Sequence, residues 1–456
     1  MKTSKYNVFF KYRGKSLAFN GFTSSFAEVD EDFNRVIQNI NSIDYDKADE
    51  KTKKLIDDMK MGFFLLDDDA NELSLLKFNS NCGKFNLQGL GLTIAPTLAC
   101  NFACPYCYEN NQSGMIDVEV IDAIYKWVEQ TAEKKEQISI TWYGGEPLLA
   151  KSVIWEMSQR LIEICDKHKA PYSAYMISNG YLVDDDVVAQ FKKAKITGVQ
   201  ITVDGPPQVH NLRRKLKNSC EPTFDTIISH IKLFENAGIH VGIRINIDKT
   251  NLVGLEELLD ILIANELNKC DIGFGHVRDS TSACSSISDT CLTVQEYANE
   301  SYKCQKILLE KGFNASDFPY YPSIKANYCC ADSLTAFVVD PKGNLYKCWN
   351  DIGNLKLSVG NVKERESQKI SNVALEYLLW SPFDKPECVS CEVLPICMGG
   401  CPYNGLKNKK PDCEKWRYGL IDVLKTRYDV YCMQGDENEE QSGDCCGVRR
   451  RGDAGK

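Results

Sequence analysis

Cys100, Cys104 and Cys107 lie within eight residues of one another. Thiolates are soft ligands that select zinc, copper(I) or iron–sulfur clusters, and a closed structural zinc site needs four ligands. Three close thiols without a nearby fourth suit a cubane cluster that leaves one iron open to a small molecule. Asn101 and Pro105 interrupt any apolar face, which favours this interpretation over a chance group of core cysteines.

A second set of cysteines lies towards the C-terminal end of the chain. Five thiols have the spacing of a metal signature, and two more lie upstream on either side of a turn at Gly343. These seven residues are Cys330, Cys348, Cys388, Cys391, Cys397, Cys401 and Cys413. Seven thiolates would supply two clusters, one with four protein ligands and one with three.

The composition indicates that these thiols are kept reduced. The 456 residues include 21 cysteines, carry a net charge of −9 and are 43% hydrophobic, and no secretory signal is apparent. We therefore expect a cytoplasmic protein, in which cysteines serve as metal ligands, catalytic groups or small core residues. The negative charge argues against a nucleic-acid partner, and no apolar run approaches the ~18 residues that span a membrane.

The length predicts more than one domain. Residues 1–90 predict a small α+β unit, with a hairpin around Arg13-Gly14 and helices near 30–40 and 50–64, the first capped by Asp30. Such a unit could bind a peptide or form a structural cap on the next domain. Residues 311–433 predict a loop-rich domain held together by metal, and residues 434–456 a flexible tail.

Residues 91–310 have the regular pattern of a parallel α/β domain. Apolar runs alternate with amphipathic helical stretches, which indicates βαβ units, and Cys165 falls on the buried face of one such helix. The predicted strands cover 91–96, 138–143, 172–177, 199–203, 239–247 and 271–277. Six units suit either an open doubly wound sheet or an incomplete, TIM-like (β/α)6 barrel, and both place reactive residues at the C-terminal ends of strands.

Polar or glycine residues follow four consecutive predicted strands. The first strand leads into Cys100, and the next three end in Gly144-Gly145-Glu146-Pro147, Ser178-Asn179-Gly180 and Asp204-Gly205. These could be ordinary turns, because Asn-Gly and Asp-Gly favour turns. The cysteines at the first strand end favour a functional site instead.

The motif Cys-x3-Cys-x2-Cys, with Tyr106 before its third cysteine, resembles the radical S-adenosylmethionine enzymes, and the later cysteines resemble their SPASM extension. The likeness covers roughly residues 91–432. It implies three [4Fe–4S] clusters, one at Cys100, Cys104 and Cys107 that binds S-adenosylmethionine and two auxiliary ones. In this family an electron, from a donor such as flavodoxin or ferredoxin, cleaves the cofactor to a 5′-deoxyadenosyl radical that abstracts hydrogen from the substrate.

The resemblance also implies the residues that contact S-adenosylmethionine. The glycine-rich strand end would hold the methionine amino group through backbone carbonyls, the tyrosine would approach the adenine, and an arginine would bind the carboxylate. These contacts are Tyr106, Gly144, Gly145, Glu146, Ser178, Thr202 and Arg214. Arg213 is the alternative to Arg214, and we expect His210 to be a structural, hydrogen-bonding residue.

The implied ligands of the two auxiliary clusters are interleaved along the chain. Those of the first cluster are Cys330, Cys348 and Cys401, and those of the second are Cys388, Cys391, Cys397 and Cys413. Fully ligated members have a further cysteine several residues before the position of Cys330, whereas this chain has only the adjacent Cys329. Either Cys329 completes the first cluster, or one iron is open and a substrate thiolate could bind there.

These features predict a peptide maturase that forms a thioether or related crosslink in a ribosomally made, Cys-containing precursor. In many such enzymes a winged-helix-like N-terminal unit binds the precursor's leader as an added β-strand, and residues 1–90 resemble that unit in topology. One alternative is sulfatase maturation, the oxidation of a cysteine or serine to formylglycine, with Asp351 as a displaced base or only a turn residue. The other is a binding protein in which the later cysteines hold structural zinc and the barrel serves as a scaffold.

Overall fold

The strands and helices are those of a computed structural model, which describes residues 1–109, 113–313, 321–367 and 369–439. The strands are β1 (Lys2–Thr3), β2 (Asn7–Tyr12), β3 (Lys15–Asn20), β4 (Ser25–Glu28), β5 (Leu65–Leu66), β6 (Gly89–Ile94), β7 (Gln137–Trp142), β8 (Tyr172–Ser178), β9 (Ile196–Thr202), β10 (His240–Ile247), β11 (Asp271–His276), β12 (Ala336–Val339), β13 (Asn344–Tyr346) and β14 (Gly360–Asn361). The helices are α1 (Glu31–Asn39), α2 (Glu50–Met61), α3 (Glu72–Lys84), α4 (Val118–Ala132), α5 (Lys151–His168), α6 (Asp185–Lys193), α7 (Pro207–Arg213), α8 (Phe224–Asn236), α9 (Leu255–Ala264), α10 (Val294–Glu310), α11 (Asn372–Leu379), α12 (Pro386–Val389), α13 (Leu394–Cys397), α14 (Pro402–Asn408) and α15 (Trp416–Glu439).

Strands β6 to β11 form the incomplete barrel that the sequence predicts. They pair in parallel and follow one another across the sheet in chain order. A doubly wound sheet would reverse its strand order at a switch point, so this order excludes that alternative. Buried residues on the outer face of the strands pack against the helices in one large core, which includes Cys165 as expected.

The sheet continues beyond the predicted end of the barrel domain at residue 310. Strand β12 pairs in parallel with β6, and β13 and β14 extend the sheet in antiparallel fashion to nine strands. The turn between β12 and β13 contains Gly343 at φ +84°. The sequence predicts this turn between Cys330 and Cys348. Thus Cys348, which follows β13, is carried on the same sheet as the first cysteine group.

The N-terminal unit has the predicted hairpin and helices and one helix that the sequence pattern does not indicate. Strands β2, β3 and β4 form an antiparallel sheet, with Arg13 and Gly14 both at positive φ in the first turn. The Asp30 carboxylate accepts a hydrogen bond of 2.7 Å from the Phe33 amide and so caps α1. Helix α3 lies in the segment 72–84, for which the sequence gives only a mixed pattern.

Two apolar clusters join the N-terminal unit to the C-terminal cysteine segment. In one, Val8 and Phe19 pack with residues of α13 and with Leu420 and Leu424 of α15. In the other, apolar residues of the N-terminal unit pack around the C-terminal segment; its buried members are Tyr6, Phe22, Leu76, Cys388, Leu394 and Met398. The unit is therefore packed directly against the later cysteines.

The long final helix extends into the segment predicted as a flexible tail. Helix α15 continues to Glu439, so residues 434–439 are helical, and the Cys445-Cys446 part of the predicted tail lies outside the described residues. Buried Leu420, Val423, Leu424 and Tyr428 anchor the helix, and propagation from an anchored helix costs little. Within the part of the chain that the structure describes, no helix is long and apolar enough to cross a membrane.

Gly144, just after β7, allows a close approach between two strand ends. It has φ +115°, and a Cβ there would overlap the carbonyl oxygen of Thr97. Gly238 also has a positive φ, +72°, but a Cβ there would meet nothing within 4 Å. The two glycines therefore separate the cost of backbone strain from the cost of overlap.

We predict that Gly144→Ala lowers the free energy of unfolding by about 3 kcal/mol or more, because strain and overpacking add. Gly238→Ala should cost about 1–2 kcal/mol from strain alone. Urea unfolding of both variants measures the difference. Equal losses would contradict the tight approach of the two strand ends.

Candidate active site

The Cys100–Cys107 loop leaves β6 and is held at several points by its backbone. The Ala99 carbonyl accepts a hydrogen bond of 2.8 Å from the Glu146 amide, and the Ala103 amide donates to the Lys215 carbonyl at 2.8 Å. Burial raises the pKa of the Cys100 thiol to about 12, and the nearby Cys104 and Cys107 add to this shift. The three thiols are thus close enough to interact, as ligands of one cluster must be.

The fully buried Glu146 links the ends of strands β6, β7 and β8 through hydrogen bonds. Its carboxylate accepts hydrogen bonds from the Leu148 amide (3.0 Å), the Ser178 hydroxyl (2.8 Å) and the Asn179 amide (2.7 Å). Burial raises the pKa of this carboxyl group. The side chains of Glu146 and Ser178 are hydrogen-bonded to each other. A cofactor at the Glu146 turn would therefore contact the backbone of the turn, which is the contact that the resemblance implies.

Arg213 and Arg214 are both buried but have different partners. The Arg213 guanidinium donates to both oxygens of Asp248 at 2.8 Å and to the Asn246 carbonyl at 3.0 Å. Arg214 donates to the Tyr106 hydroxyl at 2.8 Å. The Nε atoms of both arginines are buried without a hydrogen-bond partner in the described residues, but Arg213 is within ion-pair distance of Asp204 and Asp248. Arg213 is therefore held by two carboxylates, whereas Arg214 has no carboxylate within ion-pair distance in the described part of the chain and can bind a further acceptor.

His210 has the structural role that the sequence predicts. Its Nδ1 accepts a hydrogen bond of 3.4 Å from the Asp204 amide, and its ring packs edge-on against Phe224. Burial lowers the pKa of His210 well below its usual value, and the charges of Arg214 and Arg213 act in the same direction. The imidazole is therefore neutral and cannot serve as a cation for a ligand.

The structure brings together the three cysteines predicted for the first auxiliary cluster. Burial raises the pKa of the Cys348 thiol, and Asp351, Cys401 and Cys330 add to the shift. The neighbouring thiol of Cys329 lowers the pKa of the Cys330 thiol.

The four cysteines predicted for the second auxiliary cluster also meet. Burial raises the pKa of Cys388 to about 12, followed by the effects of nearby Cys397, Cys413 and Cys391. Arg417 donates a hydrogen bond of 3.3 Å to the Cys413 sulfur. The N-terminal unit covers Cys388 with apolar side chains.

The donor set fits iron–sulfur clusters by its chemistry, because all ten predicted ligands are thiols, the ligands that these clusters take. Among residues 1–109, 113–313, 321–367 and 369–439, no three His, Cys, Asp or Glu side chains converge on one metal-ion position.

Several side chains between Cys107 and Cys348 escaped the sequence analysis. The rings of Tyr143 and Trp349 lie 4.6 Å apart, and the hydroxyl of Tyr143 contacts that of Tyr108. Burial raises the pKa of Glu109 to about 7, against a smaller lowering by Tyr143. Their only sequence signal is that each lies within two residues of a cysteine or glycine motif.

Asp351 is buried close to the first auxiliary group. Its Oδ2 accepts a hydrogen bond of 2.8 Å from Tyr377, while Oδ1 is buried without a partner in the described part of the chain. Burial raises the pKa of Asp351 to about 6.

The fold defines a class of protein: an incomplete parallel barrel with three cysteines in the loop that follows its first strand. Residues 94–262 match the family model described as Radical SAM superfamily. This segment is therefore a radical SAM domain, as the three-cysteine motif predicts.

Similar proteins agree with this assignment. The chain is 24% identical over 340 residues to the cysteine-type anaerobic sulfatase-maturating enzyme of Clostridium perfringens (strain 13 / Type A), covering 68% of this chain and 88% of the relative. It is 21% identical over 362 residues to the radical SAM cyclopropyl synthase TigE of Paramaledivibacter caminithermalis, covering 72% of this chain and 70% of the relative.

Two solved structures share the fold. The structure titled native anSMEcpe with bound AdoMet and Cp18Cys peptide has a TM-score of 0.59 and 18% identity, covering 76% of this chain and 99% of its own. Streptococcus suis SuiB bound to precursor peptide SuiA has a TM-score of 0.52 and 17% identity, covering 91% of this chain and 98% of its own.

The different partners of the two arginines generate a prediction. If Arg214 binds the carboxylate of S-adenosylmethionine as the resemblance implies, Arg214→Gln should weaken cofactor binding about tenfold or more, because a charge-assisted bidentate contact would be lost. Arg213→Gln should instead lower the free energy of unfolding by about 3–5 kcal/mol, because Asp248 is left buried and unpaired. Equilibrium dialysis of anaerobically reconstituted protein and urea unfolding measure the two effects.

Arg160→Gln on the exposed surface of α5 is the matched control and should change neither quantity. Wild-type cofactor affinity in Arg214→Gln would contradict the assignment of Arg214.

Proposed function

We propose that the protein is a peptide maturase that forms a thioether or related crosslink in a ribosomally made, Cys-containing precursor. The observation that carries this proposal is the first auxiliary group. Cys401 and Cys330 lie close enough to Cys348 to raise the pKa of its thiol, and the candidate for a fourth ligand among the described residues, Cys329, is the direct neighbour of Cys330. Adjacent residues are poorly placed to bind two irons of one cubane, so one position remains for a substrate thiolate.

The residues of the first cysteine loop fit the family's cofactor. A bound cluster with S-adenosylmethionine supplies an electron and a 5′-deoxyadenosyl radical that takes a hydrogen atom from the substrate. Cys100, Cys104 and Cys107 would hold that cluster, and the Gly144-Gly145 turn offers backbone carbonyls beside it. The buried Arg214 would bind the carboxylate of the cofactor, with its charge strengthened by the low-dielectric surroundings. The remaining contacts in this proposal are Tyr106, Glu146, Ser178 and Thr202.

The N-terminal unit supports a peptide substrate. In the described sheet β2–β3–β4, the outer sides of β2 and β4 have no strand partner, and an extended leader peptide can pair with such an edge. The SuiB structure, whose title includes a precursor peptide, covers 91% of this chain. A match of that extent must include part of residues 1–90. We propose that the leader adds to this sheet and directs the core peptide into the barrel.

Sulfatase maturation is a second candidate, which the buried Asp351 favours. A carboxyl group with one unpaired oxygen and a pKa raised to about 6 is suited to accept a proton from a substrate thiol or hydroxyl. The sulfatase-maturating relatives match most of their own length to this chain. In this alternative the N-terminal unit acts only as a cap on the cysteine domain.

The mass of the product separates the two candidates. We expect that co-expression with a short Cys-containing reading frame from the neighbourhood of the gene yields a peptide lighter by two hydrogens per crosslink. Formylglycine formation from cysteine would instead remove one sulfur and two hydrogens and add one oxygen. Intact-mass spectrometry makes the distinction. Alkylation after reduction then separates a thioether, which does not alkylate, from a disulfide of the same mass.

A Cys100→Ala enzyme serves as the inactive control in this experiment. The crosslinking proposal fails if every such peptide keeps its mass, or if the product has the formylglycine composition.

The division of the thiols into separate groups generates a further prediction. Replacing Cys100, Cys104 and Cys107 together by alanine should abolish formation of 5′-deoxyadenosine but leave about eight irons per chain in the auxiliary groups. Cys82→Ala removes an exposed thiol on α3 and should leave both quantities at the wild-type level. Iron analysis and chromatography of the nucleoside provide the readouts, and surviving cofactor cleavage would show that the catalytic cluster lies elsewhere.

A further inference from the structure

The inner face of the barrel offers an arginine that the cofactor assignment does not use. Along β10, Val241, Ile243, Ile245 and Ile247 are buried, and the alternate residues Gly242, Arg244 and Asn246 are partly exposed. Because successive strand residues point to opposite faces, the second set faces the barrel interior. Arg244 therefore extends into the space that the strands enclose.

The Arg244 side chain is held in place by its neighbours, but no carboxylate of the described residues neutralises its charge. Its Nε donates a hydrogen bond of 3.3 Å to the Asn246 side chain, and its guanidinium lies over Gly275 of β11, where a Cβ would overlap it. In the described ranges no carboxylate lies within ion-pair distance of Arg244, and its two terminal nitrogens have no hydrogen-bond partner. The terminal N–H groups of the Arg244 guanidinium therefore face the open interior of the barrel.

Arg244 also lies next to the predicted cofactor position. It pairs in register with Thr202 at the end of β9, one of the residues proposed to bind S-adenosylmethionine. A substrate group held by Arg244 would therefore sit on the strand beside the cofactor, where hydrogen abstraction must take place.

We propose that Arg244 binds the carboxylate of an aspartate or glutamate in the peptide substrate, close to the residue that is modified. The inference rests on the proposed function, because it assumes a peptide that enters the barrel. A planar guanidinium binds both oxygens of a carboxylate through parallel hydrogen bonds. The net charge of the whole chain is −9, which repels acidic peptides at long range, so a preference for them requires a local site.

Three pools of labelled synthetic peptides test the inference on the reconstituted enzyme with S-adenosylmethionine. All have a central cysteine, and their flanking positions contain Asp and Glu, Asn and Gln, or Lys and Arg among otherwise identical neutral residues. Fluorescence anisotropy should show that the wild-type enzyme binds the acidic pool about tenfold more tightly than the amide pool. Arg244→Gln should remove this difference, and Arg244→Glu should reverse the preference towards the basic pool.

Two glycine variants probe the same site while leaving Arg244 in place. Gly275→Ala should displace the guanidinium and reduce the preference for the acidic pool. Gly273→Ala alters the same face of β11 where a Cβ would meet nothing within 4 Å, so it should keep the wild-type preference. Equal binding of the acidic and amide pools by the wild-type enzyme, or an unchanged preference in Arg244→Gln, would overturn the inference.

The affinity for S-adenosylmethionine is measured in the same variants. Unchanged affinity in Arg244→Gln supports a substrate role, whereas a tenfold loss would assign Arg244 to the cofactor and overturn the inference. The mass of the bound peptides keeps the two proposals apart. An acidic preference without a mass change would contradict the crosslinking function alone, and a mass change without the preference would contradict the role of Arg244 alone.

Discussion

The carboxylate of Glu146 is the interaction on which the geometry of the first cysteine loop depends. It joins the end of β7 to the end of β8 through Ser178 and Asn179, while its own amide holds the Ala99 carbonyl next to Cys100. A buried carboxylate is stable only if its oxygens accept hydrogen bonds, and here three donors converge on it. The same requirement brings two strand ends to the cysteine loop and leaves the backbone of the glycine turn available for a ligand.

A second constraint is the burial of the later cysteines. Cys388 and Cys397 lie in apolar clusters shared with the N-terminal unit and with α15. The sequence predicts a domain held together by metal rather than by a core, whereas the structure places a substantial core around these thiols. Residues 1–90 thus pack over part of the C-terminal segment, and this does not conflict with peptide recognition at the sheet edges.

Local patterns in the sequence predict much of this fold. The six barrel strands follow from apolar runs of the right length, the first hairpin from Arg13-Gly14, and the start of α1 from the capping residue Asp30. The pairing of β12 with β6 could not be predicted, because it joins segments more than two hundred residues apart and leaves no periodic signal in either. Helix α3 was missed because its apolar residues follow the helical period only weakly, and it is fixed by contacts such as Leu76 with Cys388. The proximity of Tyr143 to Trp349 likewise depends on that long-range pairing.

We propose that ten of the cysteines form three separate cluster sites, one of which gathers residues from 330 to 401 of the chain. Native mass spectrometry of the protein purified without oxygen, combined with iron and sulfide analysis, is the decisive measurement. We expect a brown protein whose mass exceeds that of the chain by three [4Fe–4S] clusters, with about twelve irons and about twelve sulfides. A colourless protein with stoichiometric zinc, or a mass increase that corresponds to one cluster, would show that the three sites do not exist.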